Sequence, residues 1–122
     1  MPATLRALRG ATTVDADTTE QVTSRVQALM AAIFERNRLD KEDLVSMVFT
    51  ATDDVTSMFP ATAARAMGLG DVPLLCAREL AVVGATPLCI RVMLHVTTEL
   101  ERDQLHHVYL EGARGLRDDL PE

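Results

Sequence analysis

The sequence has 122 residues, of which 48% are hydrophobic and 3% aromatic, and a formal net charge of −6. A chain of this length suits a single domain spanning residues 1–122, which buries roughly two-thirds of its unfolded surface without disulfides or metals. Acidity, together with an aromatic set of only Phe34, Phe49, Phe59 and Tyr109, argues against a nucleic-acid reader, which needs a basic footprint and stacking platforms.

In chain order, Thr4 to Gly10 reads as a first strand ending in a glycine turn. Asp17 to Glu20 has capping-box spacing, with Asp17 as the helix cap. Val22, Val26, Leu29, Met30, Ile33 and Phe34 then recur at helical spacing and predict an amphipathic helix ending near Asn37. Leu44 to Thr50 is a dense apolar run bounded by acidic segments, predicting a strand buried on both faces. Pro60 to Met67 reads as a short helix, with Pro60 in its first turn and Gly68 and Gly70 ending it. Val72 to Cys76 suits a short strand. Cys89 to Thr97 is the clearest strand. Ile90, Val92, Leu94 and Val96 fall on one face; Cys89, Arg91, Met93 and His95 fall on the other. His107 to Leu110 suits a last strand, and Gly112 and Gly115 loosen the tail after it. The fold class is therefore α+β: a mixed sheet with one long amphipathic helix and a short one.

Two cysteines, Cys76 and Cys89, are too few for a disulfide scaffold and are expected as reduced thiols. The longest apolar stretch, Leu80 to Ile90, is interrupted by Gly84 and Pro87 and stopped by Arg91, short of the ~20 residues of a membrane helix. Met1 to Gly10 contains Arg6 and Arg9 and lacks the apolar core of a signal peptide. The expectation is a cytoplasmic protein with no membrane partner.

Eleven of the twelve cationic residues are arginines, Lys41 being the exception. Codon usage accounts for the bias as a whole, but not for the position of Arg91 inside an apolar strand. An unpaired buried charge is costly, so Arg91 must be paired, with Glu79 or a neighbouring subunit, or must face a ligand. Glu79 follows Cys76-Ala77-Arg78 just past a predicted strand, where sites are often held on a rigid frame. Cys76 as a nucleophile requires a histidine, and His95, His106 and His107 qualify by type. His106 and His107, adjacent on a strand, point to opposite faces and make a poor metal chelate. Phosphate-loop and dinucleotide glycine patterns are absent from the sequence. Arg9 at a strand end, Arg65 on the short helix and Arg117 in the tail read singly as surface charges. Gathered beside one glutamate, they would suit a small dicarboxylate, because guanidinium forks match carboxylates bidentately.

Five blocks in register carry a family resemblance: Arg9 to Val14, Phe59-Pro60-Ala61, Cys76 to Leu80, Cys89 to Met93, and His107 to Glu111. They resemble the monofunctional chorismate mutases of the class that is not a helical bundle, in order from about Leu8 to Arg117. The resemblance implies a barrel-like homotrimer with active sites at subunit interfaces, acting on chorismate without metal or cofactor in phenylalanine and tyrosine biosynthesis. It implies that Arg9, Arg91 and Tyr109 bind the enolpyruvyl part and the carboxylates. Glu79 and Cys76 would meet the ring hydroxyl region. Phe59, Ala61 and Arg65 would come from an adjacent chain, and Leu116 and Arg117 would close over the site. Thr62 stands where some relatives have lysine, and the chain stops five residues after Arg117. Two other readings are weighed: a trimeric enamine or imine deaminase of the Rid type, similar in architecture and also using an arginine for a carboxylate but opposed by the Glu79, Cys76 and Tyr109 blocks, and a ligand-sensing or interaction-only trimer that keeps the fold without catalysis.

Overall fold

The computed structural model describes residues 2–116. Its elements run β1 (Thr4–Thr13), α1 (Thr19–Asn37), β2 (Leu44–Ala51), α2 (Pro60–Ala64), β3 (Leu74–Arg78), β4 (Cys89–Thr98) and β5 (Val108–Tyr109). The strands form one mixed sheet in the order β3-β2-β4-β1-β5. β4 is antiparallel to both β1 and β2, whereas β3 runs parallel to β2 and β5 parallel to β1. Among the described residues no helix is long and apolar enough to cross a membrane.

The helices cover one face of the sheet. Of the predicted stripe of α1, Val22, Val26, Leu29, Met30 and Ile33 are fully buried and Phe34 is half-buried at its edge. They meet Leu8, Phe49, Ile90, Val92, Leu94 and Val96 from the strands. Burying each such side chain contributes about 1.5–3 kcal/mol relative to leaving it in water. The alternation of β4 survives intact: the even-numbered positions from Ile90 to Val96 are buried, while Arg91, Met93 and His95 reach the other face. That second face is covered only at its β1–β5 end, where Ala113 and Leu116 lie against Ala11 and Tyr109. Leu5, Leu75 and Met93 are exposed on it.

Several local expectations are corrected. β1 continues through Gly10 to Thr13 instead of turning there. Gly10 is required for a different reason: a Cβ on it would come within 2.8 Å of Ile33 Cδ1, so the glycine lets α1 lie close against the strand. The cap of α1 is Thr18, whose hydroxyl accepts from Gln21 N at 3.2 Å. Asp17 is free of that role and binds the 56–57 segment instead. β2 is buried on its helix-facing side only, at Leu44, Met47 and Phe49. The strand predicted over Val72 to Cys76 lies at Leu74–Arg78, and the one predicted over His107 to Leu110 shrinks to Val108–Tyr109. α2 gives way at Arg65 to a wider turn, Arg65–Leu69, in which Gly68 has φ 88°. Gly112 does not loosen the chain. Its N–H donates to Thr13 Oγ1 at 2.9 Å, and a Cβ there would meet that oxygen at 2.7 Å.

The end of α1 is tied to the start of β5 by one buried side chain. Asn37 Nδ2 donates to Ile33 O and to His106 O, both at 2.9 Å, and Asn37 Oδ1 accepts from His106 N at 2.7 Å. Asn37→Ala leaves these peptide groups without the amide in a site of 0% exposure. The expected loss is about 2–4 kcal/mol, read as a lower urea midpoint with an unchanged m-value.

Candidate active site

Cross-strand register decides which side chains share the face opposite the helices. Arg91 on β4 pairs with Ala11 on β1 and with Thr50 on β2, and Ala11 pairs in turn with Tyr109 on β5. Opposed residues in a ladder point the same way. The result is a cavity of about 360 Å³ lined by Arg9, Thr50, Glu79, Arg91, Met93 and Tyr109, among others. Glu79 lies one residue beyond β3, and its N–H donates to Ala51 O at 3.0 Å, which extends the β2–β3 ladder and fixes its direction. Glu79 Oε2 stands 3.3 Å from Arg91 Nε, with the side chains 20% and 40% exposed respectively. This is an ion pair without an aligned hydrogen bond, since the buried Nε–H has no acceptor in line. The hydroxyl of Thr50 donates to the same Oε2. Arg91 is thus paired with Glu79 and also lines a cavity.

Arg9 borders this cavity, and its backbone N–H donates to His107 Nδ1 at 3.0 Å. Tyr109 is 4% exposed and packs with Ala11 and Ala113, with Leu116 against them. Arg117 lies outside the described residues.

The remaining candidates sit elsewhere. Phe59, Thr62, Cys76 and Arg78 line a second groove of about 620 Å³. Cys76 pairs with Phe49, one residue out of step with Thr50, so it projects from the opposite face to Glu79. Within one chain it does not join the Glu79 cavity, contrary to the expectation that the two residues meet the same part of a ligand. None of the histidines His95, His106 and His107 lines its groove, which removes the arrangement a cysteine nucleophile requires. Phe59 is 69% exposed, and Arg65 is exposed on the turn after α2. Ala61 is buried in the core. The two adjacent histidines precede β5 rather than lying on it, and among the described residues no cluster of three His, Cys, Asp or Glu has metal-binding spacing. Sequence reading missed Thr50. The available signal was a hydroxyl at the end of an otherwise apolar strand.

Two carboxylates hold the loops around the site. Asp54 accepts from Leu88 N at 3.1 and 3.0 Å and from the Thr52 hydroxyl. That hydroxyl in turn accepts from Cys89 N at 3.0 Å. Together they keep Leu88 at φ 50° and set the start of β4, two residues before Arg91. Burial pushes the Cys89 thiol up from its ordinary pKa, with the Arg91 charge opposing. A thiol kept protonated there is filler. Asp17 accepts from Thr56 N at 2.9 Å, Thr56 Oγ1 at 2.8 Å and Ser57 N at 3.0 Å, so it anchors the segment leading to Phe59.

Residues 5–120 match the family model described as chorismate mutase type I. The chain is 44% identical over 117 residues to the chorismate mutase AroH of Bacillus subtilis (strain 168), covering 95% of this chain and 92% of that relative. Identity to the chorismate mutase AroH of Thermus thermophilus is also 44% over 117 residues, with 95% and 96% covered. A solved chorismate mutase from Clostridium thermocellum superposes with a TM-score of 0.87 at 42% identity, over 89% of this chain and 97% of that one.

The hydrogen bonds to Asp17 hold its pKa at about 2, below the ordinary 3.8, the largest cause being the backbone N–H of Thr56. A depressed carboxylate contributes stability that is present above 3.8 and is lost as pH falls towards about 2. Asp17→Asn should therefore lower the melting temperature at neutral pH and flatten its fall across that acid window, which a melting series against pH would show.

Proposed function

The chain belongs to the type I chorismate mutase family, and we propose that it rearranges chorismate to prephenate in the Arg91 cavity, with Arg91 as its electrostatic centre. The family match decides among the readings left open by the residues, in favour of the mutase over the deaminase and the non-catalytic trimer. The observation that carries the site assignment is a half-exposed guanidinium, paired through Nε alone with a glutamate, in a cavity that also holds Arg9 and Tyr109.

The reaction is an intramolecular pericyclic shift: an ether C–O bond breaks as a C–C bond forms. It requires neither a nucleophile nor proton transfer. Two things accelerate it: holding the folded conformer, and stabilising the negative charge that develops on the ether oxygen. Arg91 donates to that oxygen in this reading, while Arg9 and Tyr109 hold the enolpyruvyl part and the carboxylates. Glu79 keeps Arg91 aimed and favours positive character on the ring side.

The assembly belongs to the same proposal: a homotrimer whose sites lie at subunit interfaces, in the cytoplasm, supplying phenylalanine and tyrosine synthesis. Two observations support it. The sheet face opposite the helices leaves Leu5, Leu75 and Met93 exposed. The Arg91 cavity and the Phe59–Cys76 groove are separate in one chain, so a neighbour's groove can complete a cavity. Phe59, Cys76 and Arg65 then face the substrate of the adjacent chain. Ala61, buried in α2, belongs to the same contribution from the adjacent chain in this reading. Leu116, beside Tyr109, and Arg117 close over the site in this reading.

The purified protein should consume chorismate, followed by loss of its ultraviolet absorbance with prephenate identified as product; a folded protein without turnover refutes the assignment. Arg91→Ala should lower kcat by about 10²–10³ with a smaller change in KM. Arg91→Lys should also be poor, because a point charge lacks the planar fork. Both variants are compared as folded oligomers by circular dichroism and sizing. Light scattering at micromolar concentration should give three times the chain mass of 13.3 kDa, and a monomer there would remove the interfacial site.

A further inference from the structure

We infer that Thr50 is the positioning residue of the site: its hydroxyl anchors the Glu79 carboxylate so that Arg91 stays available to substrate instead of collapsing onto the glutamate. The inference rests on the mutase reading of this cavity and deepens it.

Three observations carry it. Thr50 stands directly opposite Arg91 across the β2–β4 ladder, so its side chain emerges on the cavity face beside the guanidinium. Its hydroxyl donates to Glu79 Oε2, the same oxygen that faces Arg91 Nε. Thr50, Glu79 and Arg91 all line the one cavity. Residues at the ends of three different strands therefore converge on a single carboxylate oxygen.

The physical consequence follows from the geometry of the guanidinium and its partner. A guanidinium and a carboxylate left alone adopt the fork-on-fork arrangement with two parallel hydrogen bonds. Here the contact is a single one at 3.3 Å, and it is misaligned. The Thr50 hydroxyl takes a lone pair of Oε2 and so sets the rotation of the carboxylate, which a fork would need turned to bring Oε1 against the guanidinium as well. Glu79 thus supplies charge enough to orient Arg91 without consuming its donors. Thr50 also removes a rotational freedom from Glu79, whose backbone is already fixed to Ala51 O at 3.0 Å. A preorganised site gains most from such constraints, because the groups need not reorganise as charge develops.

The charged groups around Glu79 are Arg91 on β4, Arg9 on β1, and Asp53 and Asp54 on the loop after β2.

The test uses the intact protein and compares Thr50→Val, which keeps shape and strand preference, with Thr50→Ser, which keeps the hydroxyl. Thr50→Val should lower kcat by about tenfold or more, the scale of one lost hydrogen bond to a charged group, with KM changing less. Thr50→Ser should recover most of the lost rate. If Thr50→Val does not give the parent's circular dichroism and oligomer size, Thr50→Ala takes its place in the same comparison. A folded variant without the hydroxyl that keeps the parent's kcat overturns the inference, as does equal loss in the valine and serine variants. Failure of the mutase reading itself is distinguishable, because it appears as no chorismate turnover by the unsubstituted protein.

Discussion

A guanidinium on the central strand of a five-stranded sheet constrains everything around it. Arg91 sits on β4, which is flanked by β2 and β1, so no sheet edge is near enough to let its charge escape to bulk water. It can be accommodated because one face of the sheet is left largely uncovered and because Glu79 arrives at 3.3 Å. That contact is not a general source of stability. Ion pairs at partly buried positions recover little more than their desolvation cost. In the proposed role its value lies in orientation: it would hold a cation where negative charge develops on the ether oxygen and leave donors for that oxygen.

The rest of the architecture keeps that one geometry in place. α1 and α2 bury the opposite face of β4 through Ile90, Val92, Leu94 and Val96, which locks the strand's rotation and so the outward direction of Arg91. A slip by one residue would turn Arg91 into the core, and the Thr52–Asp54 pair guards against it by fixing Leu88 and Cys89 at the strand's first residues. Gly10 lets α1 approach β1, whose neighbour Arg9 reaches the cavity. Asn37 and Gly112 hold the two ends of the segment carrying Tyr109. The side chains of the cavity are placed by strand register and by a few buried polar ties, with loops contributing mostly at their anchored ends.

Separation of the two grooves gives the fold an unusual economy. β3 pairs with β2 so that Cys76 falls opposite Phe49, while Glu79 continues the row of Thr50 on the other side. One short edge strand thereby serves two faces. It presents a carboxylate to its own chain's cavity and a thiol to the groove beside Phe59. A self-complementary arrangement of three such chains would use both, because each chain carries the two halves on different sides.

Much of this was legible in the sequence, for identifiable reasons. The helical stripe from Val22 to Ile33 and the alternation from Ile90 to Val96 are periodic signals set by backbone geometry, and both are realised as read. The isolation of Arg91 among apolar neighbours marked it as paired or functional, and the family resemblance named its companions. Local signals failed where a distant contact outweighed them. Gly10 looked like a turn but answers to the packing of Ile33. Asp17 looked like a cap but is taken by Thr56 and Ser57, leaving Thr18 to cap the helix. The strand from Leu44 to Thr50 looked buried on both faces, since its composition cannot tell whether a second layer exists to cover it. Composition and periodicity determined which residues are buried and which faces they share along each element. Pairing register between elements is a tertiary property, and it alone decided that Glu79 and Thr50 meet Arg91 while Cys76, three residues from Glu79, turns the other way.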